Sequence, residues 1–411
     1  EPAMPADLIA GIAPDRLTAF AAAEAKRYAA ARPKAKKALA TGDAVFLDGV
    51  PLHWMKDWPM PHLPLVAKAH GARIEDIDGH AIDDFCLGDT GSMFGHSPAP
   101  VAKAIRHQAR RGLTYMLPTE EALAAGRLLS ERFGDFRWQI ATTATDANRF
   151  AIRVARAVTG RPKILVFNGC YHGTVDDAMV ELVNGTTQNR QGLLGQFADL
   201  TAGAVCCEFN DLAGVEAALA KGDVAAILTE PVMTNSCMVL PEAGFHDGLR
   251  TLSRRFGALL IIDETHTISS GLGGYTRVHS LSPDMFVVGK CVAGGMPTAV
   301  WGMTAEVADR YTQVNAGRPS GHSGMGTTLS ANPMQFACLK ATLAEVMTPA
   351  AYAHMEKLAE RLSAGLRRVI DRVGAPWHVV RVGARVEFIC APGPLRNGTE
   401  AGFAHQPQVE R

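Results

Sequence analysis

The chain has 411 residues, of which 47% are hydrophobic and 20% are charged, a balance typical of a globular protein with a large core. Lysine plus arginine and aspartate plus glutamate both number 41, so the formal net charge is zero. This balance gives no support to a nucleic-acid partner, because binding to a phosphate backbone needs surplus positive charge. No apolar run approaches the roughly 18 residues of a membrane span, so we expect no membrane partner.

The chain begins with Glu1-Pro2-Ala3-Met4, which has neither an initiator methionine nor a signal-peptide pattern. We therefore expect a trimmed start. Eight cysteines are scattered along the sequence without a C-x-x-C pair. In a chain of this length that scatter indicates reduced, buried thiols and predicts a cytoplasmic protein.

The N-terminal part combines helix with short strands. Residues 7–40 are rich in alanine, lysine and arginine and predict helix with a break at Pro33. Two strand-like pieces follow at 65–67 and 72–77, and Asp78-Gly79 after them is a turn signal. We assign residues 1–85 to an N-terminal segment that includes part of a smaller domain.

From about residue 98 to 340, helices alternate with short apolar strands. The sequence predicts helices at 98–112, 119–133, 146–159, 211–220, 243–256, 304–311 and 331–346. It predicts strands at 137–142, 163–167, 203–207, 224–229, 258–263, 284–288 and 299–303. Continuous runs of Val, Ile and Leu are typical of a mostly parallel sheet covered on both faces. We predict an α/β fold whose large domain, 86–340, gathers its active groups at the carboxyl ends of seven strands.

The C-terminal part predicts a smaller α+β domain. An amphipathic helix is expected at roughly 350–373, and strands are expected near 377–382 and 384–390. We assign residues 341–411 to this domain.

Two strand ends carry the strongest functional signal. Asp263 closes the apolar run 258–262, and Lys290 follows the apolar run 285–289. A lysine and an acid at strand ends are what an enzyme needs to hold pyridoxal 5'-phosphate. The lysine forms an imine with the aldehyde, and the acid sits on the pyridine nitrogen. Taken singly, Lys290 also fits a lysine that extends to solvent, and Asp263 also fits a helix cap.

The strand at 137–142 runs into Thr143-Ala144-Thr145-Asp146, which opens a helix. Small residues let backbone N–H groups approach an anion, and the helix N-terminus adds a partial positive charge. Ala144 and Thr145 are therefore candidates for binding a phosphate. The alternative is an ordinary helix cap made by Thr145 or Asp146.

Two further strand ends carry candidate residues. Tyr171 and His172 follow one strand, and an aromatic ring at this place can stack on a flat cofactor. The alternative is a surface tyrosine. Glu230 closes another strand, where a buried carboxylate is costly unless it is paired or ligated.

Other cofactors have little support. His266 lies near Asp263 and Glu264, but the spacing fits neither H-E-x-x-H nor a Cys/His zinc pattern, so we predict no metal. The sequence has no G-x-G-x-x-G, so a nicotinamide site has no motif behind it.

A set of ordered motifs resembles the class III aminotransferases of fold type I, the group that includes glutamate-1-semialdehyde aminomutase and the ω- and β-transaminases. The motifs are Asp78-Gly79, Gly95-His96, Pro118-Thr119-Glu120, the segment 155–161, Cys170-Tyr171-His172-Gly173, Asp263-Glu264, Gly289-Lys290 and Ser330-Ala331-Asn332-Pro333. Each motif alone is weak, but the ordered set is specific. The similarity covers most of the chain, from about Gly71 to Thr342.

The resemblance implies a cofactor and a role for the candidate residues. Lys290 would bind pyridoxal phosphate as a Schiff base, and Asp263 would pair with the pyridine nitrogen. Ala144 and Thr145, where the family typically has Gly-Thr, would bind the phosphate through their backbone. Tyr171 would stack on the ring.

The resemblance also implies cofactor contacts from His172, Glu230 and Thr265. Thr265 stands where the family usually has valine against the second face of the ring. Thr327 or Thr328 would reach the phosphate of the neighbouring subunit. The stretch 322–328 is longer than in the family, so both threonines remain open. This contact implies a homodimer with shared active sites.

Three departures from the family concern the substrate and the chain end. Where the aminomutases carry Ser-Trp before Gly-His, this chain has Gly88-Asp89. The segment 49–56 lies where relatives place a serine or arginine for the substrate carboxylate. The chain stops soon after Cys390, so we expect an incomplete small domain. The candidate substrate residues are His53, Trp54, Lys56 and Asp89.

These residues lead to three hypotheses. The first is an aminotransferase that moves an amino group between an amino acid or amine and a keto acid. The second is an isomerase of the glutamate-1-semialdehyde aminomutase type, against which the lost Ser-Trp pair counts. The third is a non-catalytic dimeric protein with this fold, against which the presence of Asp263 and Lys290 counts.

Overall fold

The computed structural model describes residues 8–41, 45–321 and 323–410. The predicted trimmed start at Glu1-Pro2-Ala3-Met4 and position 322 of the long stretch lie outside the described residues.

The helices and strands follow one another in the order that the sequence pattern predicts, with several additions. The helices are α1 (Pro14–Ala31), α2 (Pro33–Leu39), α3 (Ala99–Gln108), α4 (Glu120–Phe133), α5 (Ala144–Thr159), α6 (Leu212–Leu219), α7 (Phe245–Phe256), α8 (Gly274–Val278), α9 (Ala305–Asn315), α10 (Pro333–Ala341), α11 (Pro349–Val373), α12 (Gly398–Ala404) and α13 (Pro407–Glu410). The strands are β1 (Val66–His70), β2 (Arg73–Asp76), β3 (Ala81–Asp83), β4 (Arg137–Ala141), β5 (Lys163–Phe167), β6 (Val180–Val183), β7 (Thr186–Asn189), β8 (Ala204–Cys207), β9 (Val224–Thr229), β10 (Leu259–Asp263), β11 (Met285–Val288), β12 (Ala299–Met303), β13 (His378–Val382) and β14 (Arg385–Ile389).

The central sheet has seven strands in the order β4-β12-β11-β10-β9-β5-β8. β10 pairs in parallel with β9 and β11, and β5 pairs in parallel with β8 and β9. β12 is antiparallel to both of its neighbours. The predicted α/β fold with a mostly parallel sheet of seven strands is therefore confirmed.

The sheet is covered on both faces because its strands are apolar on both faces. Ile261 packs in a core cluster with α5 and α9, whereas its neighbours Leu260 and Ile262 pack in another cluster with α6 and α7. Toward β4, a third cluster joins the sheet to α3, α4 and α10. This alternation follows from the two-residue period of a strand. It also explains why the strands read as continuous apolar runs.

The ends of the chain form smaller sheets. β1, β2 and β3 form an antiparallel sheet, and Asp78-Gly79 lies in the turn between β2 and β3. β13 and β14 pair as an antiparallel hairpin that packs against α11. No helix in the part of the chain that the structure describes combines the length and apolar character needed to cross a membrane.

Some elements differ from the sequence prediction. The helix expected over 331–346 ends at Ala341 and continues as a π-helical turn, Thr342–Val346. The antiparallel pair β6–β7 was not predicted, because its residues Thr186–Asn189 are polar and carry no apolar alternation. α12 was not predicted either; Asn397 caps it by accepting a hydrogen bond from the backbone N–H of Glu400.

Candidate active site

A cavity of about 500 Å³ opens at the carboxyl ends of the parallel strands. This volume lies within the range of small-molecule and cofactor sites, about 300–1,000 Å³. β4, β5, β9, β10 and β11 each end in a segment that lines it, as expected for an open α/β sheet. Its walls include the predicted residues Ala144, Thr145, Tyr171, His172, Glu230, Asp263, Thr265 and Lys290.

Asp263 is the last residue of β10 and is only 3% exposed. Its Oδ1 accepts hydrogen bonds from the backbone N–H and the hydroxyl of Thr265 at 3.1 and 2.6 Å. Its Oδ2 accepts from Asn148 Nδ2 at 2.8 Å and contacts His172 Nδ1 at 3.0 Å. Burial alone raises the pKa of Asp263, but the bonds from His172, Thr265 and Asn148 outweigh burial and lower the pKa. The carboxylate is therefore ionised at neutral pH.

Asn148 is a site residue that sequence reasoning missed. It is fully buried on α5, and its side-chain amide bridges Asp263 and the backbone carbonyl of His172, 3.2 Å away. α5 is strongly amphipathic, and Asn148 lies beside Ala147 among its buried residues. A polar amide within this apolar stripe is the signal that would have pointed to it, because a buried amide requires partners.

Glu230 follows β9 and is also buried, at 3% exposure. It accepts hydrogen bonds from the backbone N–H groups of Tyr171 and Thr234, both at 3.1 Å, and from the Thr234 hydroxyl. Burial raises the pKa of Glu230 above its ordinary value. This carboxyl group therefore orders the backbone that carries Tyr171.

The N-terminus of α5 lines the cavity. Thr143, rather than Thr145 or Asp146, caps the helix: its hydroxyl accepts from the backbone N–H of Asp146. The prediction of a cap at Thr145 or Asp146 was wrong because the helix begins earlier, at Ala144. The first N–H groups of a helix have no intrahelical acceptor. Those of Ala144 and Thr145 are thus available to a ligand in the cavity.

Gly173 lets the backbone beyond β5 approach this helix end. Its φ is +81°, and a Cβ atom added there would collide with Thr145. The Thr145 hydroxyl accepts a hydrogen bond from the backbone N–H of Thr174 at 3.1 Å. The glycine after Tyr171-His172 therefore fixes the distance between the two walls of the cavity.

Lys290 follows β11 and has a φ of +52°, a conformation that few side-chain-bearing residues adopt. Its Nζ donates a hydrogen bond to Asp89 Oδ2 at 2.8 Å. The predicted substrate residue Asp89 thus lies beside the predicted catalytic lysine. β10 and β11 pair in register, with Asp263 opposite Val287, so the sheet itself places Asp263 and Lys290 at one edge.

His266 closes the cavity near Asp89. It is 6% exposed, and its Nδ1 lies 3.0 Å from the Thr90 hydroxyl and 3.3 Å from Arg385 Nη1. Burial and the nearby charge of Lys290 lower the pKa of His266 to about 4. The imidazole is therefore neutral at pH 7.

Besides Asp89, which contacts Lys290 but is not part of the cavity wall, five predicted residues lie outside the cavity of this chain. His53, Trp54 and Lys56 lie in a short helical turn, His53–Asp57, and are exposed to solvent. Thr327 and Thr328 are also exposed, and the Thr327 hydroxyl lies 2.7 Å from that of Ser330. Within one chain these residues do not meet Lys290.

Comparison with known proteins agrees with this geometry. Residues 55–387 match the family described as aminotransferase class-III. A glutamate-1-semialdehyde 2,1-aminomutase of Desulfitobacterium hafniense is 33% identical over 369 residues, which are 88% of this chain and 84% of that protein.

Solved structures give the same assignment. A glutamate-1-semialdehyde aminomutase from Pseudomonas aeruginosa PAO1 is 48% identical and superposes with a TM-score of 0.94 over 96% of this chain and 88% of its own. A lysine-to-alanine variant of that protein was solved in complex with PMP. An omega-transaminase from Sphaerobacter thermophilus is 28% identical, with a TM-score of 0.81 over 90% of this chain and 84% of its own. This chain belongs to the class III aminotransferases, a family of pyridoxal-phosphate-dependent enzymes with the type I fold.

Proposed function

We propose that the protein transfers an amino group between an amino acid or amine and a keto acid, with pyridoxal phosphate as cofactor. One observation carries the proposal. Lys290, the ionised Asp263 and the free N–H groups of Ala144 and Thr145 line a single cavity of suitable volume. A lysine nucleophile, an acid for a ring nitrogen and a seat for phosphate are the three groups that this cofactor requires.

The residues present fit the cofactor. Each oxygen of Asp263 already has two hydrogen-bond partners, and the side chains of two of them, Thr265 and His172, also line the cavity. Asp263 would hold the protonated ring nitrogen of the cofactor. His172 and Asn148 would keep their bonds to Oδ2, so the carboxylate would stay ionised and correctly oriented.

When bound, the cofactor's protonated ring withdraws electrons from the carbon that bears the donor nitrogen. Asp263 holds the proton on the ring nitrogen. Lys290 would hold the cofactor through its aldehyde group, and its free amine would accept and return the proton that leaves the substrate carbon. The backbone of Ala144 and Thr145 would hold the phosphate, and Tyr171 and Thr265 would confine the ring.

The proposal includes a homodimer in which Thr327 or Thr328 of one subunit reaches the phosphate of the other. Exposed apolar side chains support it: Leu113, Met116, Leu117 and Leu123 are 51%, 78%, 68% and 65% exposed. Leu329, next to Thr328, is 59% exposed. An apolar surface of this kind favours contact with another chain.

In such a dimer, the exposed candidates His53, Trp54 and Lys56 of one subunit would lie near the substrate in the active site of the other. His53, Trp54 and Lys56 are proposed substrate contacts on this basis, together with Asp89. We further propose a cytoplasmic location, which the eight unpaired cysteines support.

A second candidate function is intramolecular isomerisation of the aminomutase type. The observation that favours it is the 48% identity to the Pseudomonas aeruginosa aminomutase. Against it stands Gly88-Asp89, where the aminomutases carry Ser-Trp. The two functions share the same cofactor and differ in whether the amino group leaves the site.

One experiment separates them. The protein is incubated with cofactor, ¹⁵N-labelled amino donors and pyruvate or 2-oxoglutarate, and the products are analysed by mass spectrometry. Transfer predicts ¹⁵N in the amino acid that forms from the added keto acid. Conversion of glutamate-1-semialdehyde without any label in the keto acid would establish the isomerase instead. Absence of both reactions over a broad donor panel would remove the proposed activity.

A further inference from the structure

A left-handed turn carries Asp89 to the rim of the cavity. Residues 87–90 have φ angles between 49° and 75°, a region that residues other than glycine seldom adopt. The side chain of Asp84 holds the turn, because its Oδ1 accepts from the backbone N–H groups of Cys86 and Leu87 at 3.0 and 2.8 Å. Aspartate and asparagine tolerate this backbone best, so the turn accepts either at position 89.

The turn delivers the Asp89 carboxylate to Lys290. Oδ2 lies 2.8 Å from Nζ, and the two side chains are 61% and 26% exposed. The pair is therefore accessible to a small molecule that enters the cavity, in contrast to the buried pair of His172 and Asp263.

Charge balance singles out Asp89. The Arg385 guanidinium is neutralised by Glu387, whose Oε1 lies 2.7 and 2.8 Å from Nη2 and Nε. His266 Nε2 lies 3.9 Å from Asp89, but burial lowers the pKa of this imidazole to about 4, so it is neutral at pH 7. Among the described residues, Lys290 is thus the charged cation that pairs with Asp89. Attachment of Lys290 to an aldehyde would leave this carboxylate without its hydrogen-bonded ion-pair partner.

We infer that Asp89 is an ammonium-binding residue that serves two ammonium groups in turn. It holds Nζ when Lys290 is free, and it holds the ammonium of the amino donor when Lys290 is attached to the cofactor. The first half of this inference stands on the contact itself. The second half rests on the proposed function.

The exchange balances in atoms and charge. The carbon–nitrogen bonds to Lys290 break as those from the same carbon to the donor nitrogen form, and the three N–H hydrogens of the donor ammonium, with its positive charge, end on Nζ. The carboxylate faces one ammonium before the exchange and one after it. A keto acid brings no ammonium, so its binding does not require Asp89. Asp89 therefore favours primary ammonium donors without favouring the acceptor.

The first test is binding, independent of turnover. Lys290→Ala removes three methylene groups and the ammonium, which n-propylammonium matches. The full chain carrying Lys290→Ala, purified without added cofactor, is titrated with n-propylammonium by calorimetry or thermal shift. We expect saturable binding, weakened at least about threefold by adding Asp89→Asn, the scale of a partly exposed ion pair.

Matched controls make the binding test specific. Asp48 is another exposed aspartate with a left-handed backbone conformation, at a φ of +53°. The Asp48→Asn substitution is expected to leave n-propylammonium binding unchanged. 1-Propanol, which has the same length without charge, is expected not to bind. Equal binding of n-propylammonium with and without Asp89→Asn would overturn the inference.

The second test separates donor from acceptor in the cofactor-loaded protein. Asp89→Asn is expected to raise KM for the amino donor about three- to fivefold and to leave KM for the keto acid within about twofold. An equal rise in both constants would overturn the donor role. Should the wild-type protein transfer no amino group, the proposed function fails, and the binding test alone then decides whether Asp89 holds ammonium.

Discussion

Two regions of the cavity are built differently: the floor, around Asp263, His172 and Asn148, and the rim, around Asp89. On the floor, Asp263, His172 and Asn148 are almost fully buried, and both oxygens of Asp263 have two donors. At the rim, Asp89 is largely exposed, whereas Thr328 and Trp54 lie outside the cavity of this chain and face solvent, Trp54 with 52% exposure. The groups that fit the cofactor are thus fixed by one chain. The groups expected to meet the substrate and the partner lie where a second molecule must complete them.

Lys290→Ala gives the largest expected loss and tests the floor. Amino transfer should fall by about 10⁴-fold or more, because the nucleophile and the proton carrier are lost together. Steady-state rates with the best donor measure the loss, and the visible absorbance of added cofactor shows whether an imine still forms. Lys340→Ala, in an exposed position on α10, is the control that should retain full activity. Normal turnover by Lys290→Ala would disprove the assignment.

Asp263→Asn tests the floor without removing the nucleophile. The rate should fall about 10²- to 10³-fold, the range for losing one preorganised electrostatic group, while cofactor remains bound. Asp284→Asn is the matched control. Asp284 accepts from the backbone N–H of Leu260 and from Arg250 away from the cavity, so its loss should lower the melting temperature but not kcat. A similar kcat for Asp263→Asn and wild type would remove Asp263 from its role.

Thr327→Ala and Thr328→Ala test the proposed contact of one of these threonines with the phosphate in the neighbouring subunit. The variant that loses the phosphate contact should bind cofactor about tenfold more weakly, the scale of one hydrogen bond to a charged group. The other variant should bind cofactor with the affinity of the wild type. Equilibrium dialysis measures the affinity.

Mixing subunits then shows whether that contact crosses the interface. Chains with Lys290→Ala are mixed with chains that carry the threonine variant. If the threonine acts across the dimer, one site in each mixed dimer has both residues intact, and wild-type cofactor affinity and activity at limiting cofactor return at that site. No recovery on mixing would place the contact within one chain.

The smallest expected effect is a change in the pH dependence of the melting temperature, caused by His266, which lies near Asp89. Its pKa is about 4 in the folded protein and about 6.5 when unfolded. Between these values the unfolded chain binds a proton that the folded chain does not. This proton uptake therefore has no effect on the free energy of unfolding above about pH 6.5, and it lowers the free energy of unfolding as pH falls toward 4. The melting temperature of His266→Gln should depend less steeply on pH in this window; an identical slope would contradict the assignment.

The sequence predicted the sheet and the floor because both depend on local pattern. Seven apolar strands predict the buried layer of an α/β fold, and each predicted floor residue lies at the end of such a strand or within five residues after it. Parallel strands then bring Asp263, Glu230, Tyr171 and Lys290 to one edge. The cap at Thr143 was misplaced by two or three residues, because several small polar residues in a row satisfy the same cap pattern.

The contacts between distant segments came from the tertiary structure alone. Nothing in the sequence pattern pairs Asn148 with Asp263 or Arg385 with His266, which are 115 and 119 residues apart. The contact between Asp89 and Lys290 spans 201 residues and depends on a left-handed turn that side-chain-bearing residues rarely adopt. Residue types and strand order thus determined which chemistry the chain can hold. Long-range packing decided that Asp89 contacts Lys290 and that Asp263 is buried with its own hydrogen-bond donors.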